Sequence, residues 1–301
     1  YLKLNLYFVL ISHCLFFNLF LTAQATEQFG EQIALRNIRQ VTFPSMGFEK
    51  AGESYFSPDG KTLIFQAVPL GKTDYQIYSI DLEQGNPRLI STGRGACTCA
   101  FFRPDGEKII FASSHEAPQT DEANTSTAAG YQKGTSKYEW KFTPYMNIYQ
   151  ANPDGTELKA LTTGPAYKAE CAYSSDGSQI VFASNSSGTM NLYTMQSDGS
   201  NVQQITHTNK GYNGGPFFSP DGSKIIYRAD YEKQHYLQIY SVDTTTGAID
   251  QLTNNNAVNW APYWHPNGQV IVFTTSLHGH NNYELYLLNI KPTLCVDSPS
   301  M

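Results

Sequence analysis

The sequence predicts an all-β propeller built from four-stranded blades, and three observations carry that prediction. One turn mark recurs five times along the chain. A short apolar, β-branched run follows each copy at once. The composition, 13% aromatic and only 15% charged with 20 Tyr and 17 Phe, suits pleated, half-buried strands.

The five marks are Phe56-Ser-Pro-Asp-Gly60, Phe102-Arg-Pro-Asp-Gly106, Tyr173-Ser-Ser-Asp-Gly177, Phe218-Ser-Pro-Asp-Gly222 and Trp264-His-Pro-Asn-Gly268. In each, an aromatic ends an inner strand, Pro where present presets φ, Asp or Asn caps the turn, and Gly takes the positive φ that closes a hairpin. Successive glycines lie 46, 71, 45 and 46 residues apart, the length of one four-stranded blade with a single insertion of about 25 residues. The Asp-Gly pairs read as turn chemistry rather than as calcium loops, because an apolar strand follows where further oxygen ligands would be needed.

The second strand of each blade is the run after the turn: Leu63–Phe65, Ile109–Phe111, Ile180–Phe182, Ile225–Tyr227 and Val270–Phe273. Continuous apolar runs suit strands covered on both faces, as in stacked blades. The third strand carries a repeated pair, Ile77-Tyr78, Ile148-Tyr149, Leu192-Tyr193, Ile239-Tyr240 and Leu285-Tyr286. The outer strand ends in Leu161-Thr162, Ile205-Thr206 or Leu252-Thr253, with Leu89-Ile90 as a looser version. Ile38–Thr42 matches this outer signature ahead of the first inner strand, so it is expected to complete the last blade.

An aromatic-x-Pro-Asp-Gly mark followed by a β-strand resembles the TolB-type PD40 propeller repeat, over residues 33 to about 290. The resemblance implies a six-bladed ring. Because the repeat grammar stops after Ile290, we expect a six-bladed geometry lacking most of one blade, with a closed five-bladed ring as the alternative arithmetic. It also implies a non-catalytic scaffold that binds a protein or peptide. The same repeat serves peptidase propellers and metal-dependent oligogalacturonate-lyase-like enzymes, so the propeller or accessory of such an enzyme is the second reading.

Residues 1–25 differ in kind: Lys3 precedes an apolar run from Leu4 to Leu21, and Ala23-Gln24-Ala25 supplies a small-x-small cleavage pattern. They read as a signal peptide, followed by a short linker (26–35), the propeller (36–290) and an irregular tail (291–301). Export to the periplasm or medium follows, with no stable membrane insertion after cleavage. A formal net charge of −6 gives no general attraction for a phosphate backbone, so nucleic acid is not expected as a partner. Nothing in the sequence sets an oligomeric state. Cys97, Cys99, Cys171 and Cys295 read as buried thiols, since no second Cys pair at zinc-site spacing accompanies Cys97 and Cys99.

The resemblance implies that the loops entering the inner strands and those between second and third strands share the face at the channel mouth. Six residues before each turn Asp or Asn, equivalent positions hold Glu53, Cys99, Glu170, Gly215 and Ala261. Two carboxylates there suit a cation or a basic peptide group; the plainer reading is that they accept hydrogen bonds from neighbouring strand amides. Tyr212, Asn213, Asn259 and Trp260 fall on the same face, as does the insertion Ser113–Tyr145 with Tyr138 and Trp140. Those aromatics suit stacking on a ligand or packing of the loop.

His115, His207, His235, His278 and His280 also map to mouth-face loops and are weak candidates for a divalent metal. They lie in separate loops, so no cofactor is assigned. No G-x-S-x-G elbow and no H-E-x-x-H occurs in the chain. No catalytic residue is named.

Overall fold

The computed structural model describes residues 38–118 and 142–290. The chain divides into two compact units at Thr42, and the second contains the propeller.

Blade one comprises β1 (Phe48–Phe56), β2 (Thr62–Pro69), β3 (Gln76–Asp81) and β4 (Pro87–Leu89). Blade two comprises β5 (Cys97–Phe102), β6 (Ile109–Ser113), β7 (Asn147–Ala151) and β8 (Lys159–Ala160). Blade three follows with β9 (Lys168–Tyr173), β10 (Gln179–Ser184), β11 (Asn191–Gln196) and β12 (Gln203–Gln204). Blade four has β13 (Asn213–Phe218), β14 (Lys224–Ala229), β15 (Gln238–Asp243) and β16 (Ile249–Gln251), and blade five has β17 (Asn259–Trp264), β18 (Val270–Thr275) and β19 (Glu284–Asn289). Every sheet is an antiparallel meander in chain order.

All five turn marks behave as their chemistry requires. Each Gly has φ between 68° and 76°, and its amide donates to the carbonyl three residues earlier at 2.8–2.9 Å. The Asp or Asn side chain accepts from the amide two residues on, as Asp59 does from Lys61 and Asn267 from Gln269. Side-chain hydrogen bonds from Ser57, Arg103, Ser174 and Ser219 first, and these amides after them, hold Asp59, Asp105, Asp176 and Asp221 below the usual carboxylate range.

The outer-strand signature has an equally local cause. A hydroxyl accepts the third-strand amide in four blades: Ser91 from Ile77 (3.0 Å), Thr162 from Ile148 (2.9 Å), Thr206 from Leu192 (2.9 Å) and Thr253 from Ile239 (2.8 Å). The preceding aliphatic amide donates back to the same third-strand residue, Ile90 to Ile77 and Leu161 to Ile148. In blade one the true counterpart is therefore Ile90-Ser91, one residue beyond the Leu89-Ile90 read from the sequence, with Ser standing for Thr.

The core lies between blades. Ile64 and Ile77 meet Ile109 and Phe111 across the first interface, and Ile226 and Ile239 meet Trp264 and Phe273 across the last. Each inner strand packs on the blade before it: β5 on β2, β9 on β6, β13 on β10 and β17 on β14. Among the described residues no strand contact of that extent joins blade five to blade one.

One expectation is corrected here. Residues 38–42 form no strand, and the fifth sheet has three strands among the described residues. Among the described residues no hydroxyl accepts the Leu285 amide, and Leu285 and Leu287 stand 76% and 75% exposed on β19. A matching five-residue signature is insufficient because the latch needs both a hydroxyl and a paired outer strand.

Candidate functional site

Five inner-strand residues share an unusual backbone. Glu53, Cys99, Glu170, Gly215 and Ala261 have φ of 37°, 55°, 56°, 57° and 50°. Each sits where pairing with the second strand slips, between Gly52 and Ser54, Thr98 and Phe101, Ala169 and Ala172, Gly214 and Phe217, and Trp260 and Tyr263. These are β-bulges with one left-handed residue, a conformation that costs a non-glycine residue roughly 1–2 kcal/mol and persists only where surrounding structure enforces it. They are the five positions aligned by counting back from the turn Asp or Asn.

The bulges bring the inner strands together around a central channel. Cys99 Sγ lies 3.9 Å from Glu53 Oε2, and Cys171 Sγ lies 3.5 Å from the Cys99 carbonyl. Two residues beyond the bulges stand Tyr55, Phe101, Phe217 and Tyr263. Their ring centroids are 4.9 Å apart for Tyr55–Phe101, 6.2 Å for Tyr55–Phe217 and Phe101–Phe217, and 5.0 Å for Phe217–Tyr263. An aromatic floor therefore closes the channel beside the ring of bulge residues.

The two carboxylates of the ring differ sharply. Glu170 is buried and accepts from the Tyr212 hydroxyl (2.8 and 2.7 Å), the Gly215 amide and Arg228 Nη2 (3.0 Å). The plainer sequence reading, a carboxylate paired with a strand amide, describes Glu170 well. Arg228 is held in turn by the Trp260 ring, whose centroid is 3.9 Å from Cζ, and by the Tyr212 hydroxyl at 2.9 Å. A Cβ at Gly215 would collide with Arg228 Nη1, and one at Gly214 with the Tyr212 hydroxyl. The Gly214-Gly215 pair is what admits both side chains.

Among the described residues the hydrogen-bond partners of Glu53 are the Tyr55 hydroxyl at 3.4 Å and the Cys99 thiol at 3.9 Å, both long for hydrogen bonds. Its side chain is exposed, with Cys99 of β5 as the neighbour from the next blade. Burial first, and repulsion from Glu170 second, push its carboxyl above the usual range, while Arg228 and the Cys99 and Tyr55 contacts oppose the rise. Burial likewise drives the thiols of Cys99 and Cys171 up, and that of Cys97 to about 11, so all three stay protonated at neutral pH. All three are free and buried. Cys295 lies outside the described residues.

Sequence reasoning passed over Arg228. It occupies a second-strand position whose counterparts are Gln66, Ala112, Ala183 and Thr274, so it is the one charged residue of that set. That contrast was the available signal.

Tyr212 and Trp260 both stand against the Glu170–Arg228 pair. Asn213 and Asn259 do not face the channel water: both are 0% exposed. Asn213 donates to the Met190 carbonyl (2.7 Å), and Asn259 to Gln238 (2.9 Å) and Asn255 (3.0 Å), so they fasten loops. Tyr138 and Trp140 lie outside the described residues. At the end of the same insertion, between β6 and β7, Phe142 stacks near Tyr212 at 6.2 Å and meets Tyr167 at 5.2 Å.

The histidines stay apart. His115 is bound to Ser113 (2.9 Å) and packs on Tyr149, with burial lowering its basicity; His278 meets the Tyr286 hydroxyl (2.9 Å) and His280 lies near Tyr283. His207 and His235 are exposed in loops of other blades. Among the described residues no three His, Cys, Asp or Glu side chains gather as metal ligands. Nor is any described helix long and apolar enough to cross a membrane. Residues 1–25, read as a signal peptide, lie outside the described residues.

Comparison with known proteins agrees with the repeat. The TolB beta propeller domain family, PD40, matches residues 141–292. The Tol-Pal system protein TolB of Francisella tularensis subsp. mediasiatica is 38% identical over 120 residues, which is 40% of this chain and 27% of that protein. The chain thus matches only about a quarter of the length of that relative. Among solved structures, a putative TolB from Agrobacterium tumefaciens superposes with a TM-score of 0.61 at 20% identity, covering 80% of this chain and 78% of the other. An oligogalacturonate lyase in complex with manganese gives 0.54 at 18% identity, over 80% and 65%. At such identities these superpositions establish the propeller fold alone.

Proposed function

Because the chain belongs to the TolB beta propeller domain family, we propose that it is an exported, non-catalytic propeller that holds a protein or peptide partner at its channel mouth. The observation that carries this reading is the cup itself. The left-handed bulges place Glu53, Cys99 and Glu170 beside a cluster of aromatic rings, so a few polar groups stand at fixed positions against an apolar surface. The relatives' membership of the Tol-Pal system supports a protein as the ligand.

The chemistry of the cup favours holding over reacting. Glu170 is occupied by Arg228, Tyr212 and the Gly215 amide, and the neighbouring thiols are kept neutral by burial. Neither an activated nucleophile nor a base positioned against one emerges from these contacts.

Site-specific photo-crosslinking tests the reading. A benzophenone side chain replacing Lys50 at the mouth should trap a discrete protein from an extract of the source cells, whereas one replacing Lys61 at the turn face should not. Equal trapping from both faces, or from neither, would count against the mouth as the binding face.

A further inference from the structure

The cup contains an internal example of how it seats a cation. The guanidinium of Arg228 lies against the Trp260 ring at 3.9 Å and pairs with Glu170 at 3.0 Å. Glu53 holds the equivalent bulge position in blade one, with the same left-handed backbone. Its partners are a hydroxyl at 3.4 Å and a thiol at 3.9 Å, and among the described residues no Lys, Arg or His forms an ion pair with it. With Glu53 ionised, Glu53, Glu170 and Arg228 together carry one more negative charge than positive.

The titratable groups that act on Glu53 come from three inner strands and one second strand. They are Tyr55 on its own strand, Cys99 on β5, Glu170 on β9 and Arg228 on β14. None of the four supplies a close cation: Arg228 acts on Glu53 at longer range and is already bonded to Glu170 and Tyr212. The Tyr55 and Phe101 rings, 4.9 Å apart, add π surface two residues further along the same strands. A carboxylate beside aromatic rings in a walled cup favours a cation over a neutral or anionic group, through charge and cation–π attraction together.

We propose that Glu53 receives one basic side chain of the bound partner, a lysine ammonium or arginine guanidinium inserted into the channel mouth. The inserted cation completes in blade one the pairing that Arg228 completes for Glu170, and it brings the ring to charge balance. Arg228 stays in place, since its removal would leave Glu170 buried and unpaired. This inference rests on the mouth being the binding face and adds which residue of the partner enters it.

The probe is the tripeptide acetyl-Gly-Lys-Gly-amide, compared with its norleucine analogue by isothermal titration on the whole chain. The lysine peptide should bind saturably and at least tenfold more tightly than the norleucine peptide. Glu53→Gln should erase that preference and leave norleucine binding unchanged. Equal affinity for the two peptides, no binding of either, or a lysine preference that survives Glu53→Gln would overturn the proposal. Circular dichroism and thermal melting establish that Glu53→Gln is folded; Glu53→Ala, titrated in parallel, should give the same result. Crosslinking from position 50 separates the two ideas. A partner trapped equally by wild type and Glu53→Gln would sink the cation while leaving the mouth as the binding face.

Discussion

Arg228 reaches Glu170 from the second strand of the next blade, Nη2 to Oε2 at 3.0 Å, through space that Gly215 leaves empty. The two side chains are only 11% and 5% exposed, so neither charge has water to fall back on. Such a pair contributes little net stability relative to an apolar substitute, but breaking it strands a buried charge.

Arg228→Ala should therefore destabilise the chain by about 3–5 kcal/mol. The double variant Glu170→Gln/Arg228→Met should recover much of that loss. Urea denaturation of the three proteins measures both terms. If the single variant lost less than the double, the pair would not be the unit described.

Gly215→Ala tests the same contact from the other side. Its Cβ meets Arg228 Nη1, and the position has φ of 57°. Displaced guanidinium and left-handed alanine together predict a loss of about 3 kcal/mol or more. By contrast Gly222→Ala has a similar φ but meets nothing within 4 Å, and should cost only its backbone strain, about 1 kcal/mol. Equal effects at the two glycines would contradict the steric account.

Protonation of Glu53 should stabilise the fold. Its carboxyl is raised in the folded chain by burial and by Glu170, so folding favours the neutral form. For a raised acid the stabilising contribution is fully present below the unfolded pKa and is lost as pH rises through the folded one. Glu53→Gln should accordingly melt higher than wild type at pH 7, with the difference closing as pH falls below the usual carboxylate range. A variant that melts lower at pH 7 would contradict this sign. Cation binding runs the opposite way, since it needs the ionised carboxylate and should weaken on acidification.

The outer-strand hydroxyls should matter more than their surface sequence suggests. Thr206 is wholly buried, accepts from Leu192 at 2.9 Å and donates to Asn191 at 3.0 Å. Thr206→Val keeps the shape and leaves that amide unpaired, for a loss of about 1–3 kcal/mol by chemical denaturation. Thr206→Ser should restore most of it.

Much of this was legible in the sequence, for local reasons. A turn Gly, its Asp and the residue six places earlier are fixed by bonds within a hairpin, so counting from Asp59, Asp105, Asp176, Asp221 and Asn267 located all five left-handed bulges. What the bulge residues do was less legible. Glu53 and Glu170 occupy equivalent positions, and only the three-dimensional arrangement shows that Arg228 serves one of them. Arg228 follows directly on the apolar run Ile225–Tyr227, and its path depends on Gly214 and Gly215 in another strand. Asn213 and Asn259 look like ordinary polar loop residues, because nothing in a sequence tells whether a loop amide faces water or a neighbouring carbonyl. The expectation for Ile38–Thr42 failed for a related reason: these residues have the outer-strand chemistry but form no strand.

Hydrogen–deuterium exchange of the chain with and without its crosslink-identified partner tests the central claim most directly. Binding at the mouth predicts slowed exchange at residues 50–53, 95–99, 167–170, 212–215 and 259–261, with the turns at 57–60, 103–106, 174–177, 219–222 and 265–268 unchanged. Protection at those turns, or confined to β19, with the inner-strand entries unaffected, would contradict it.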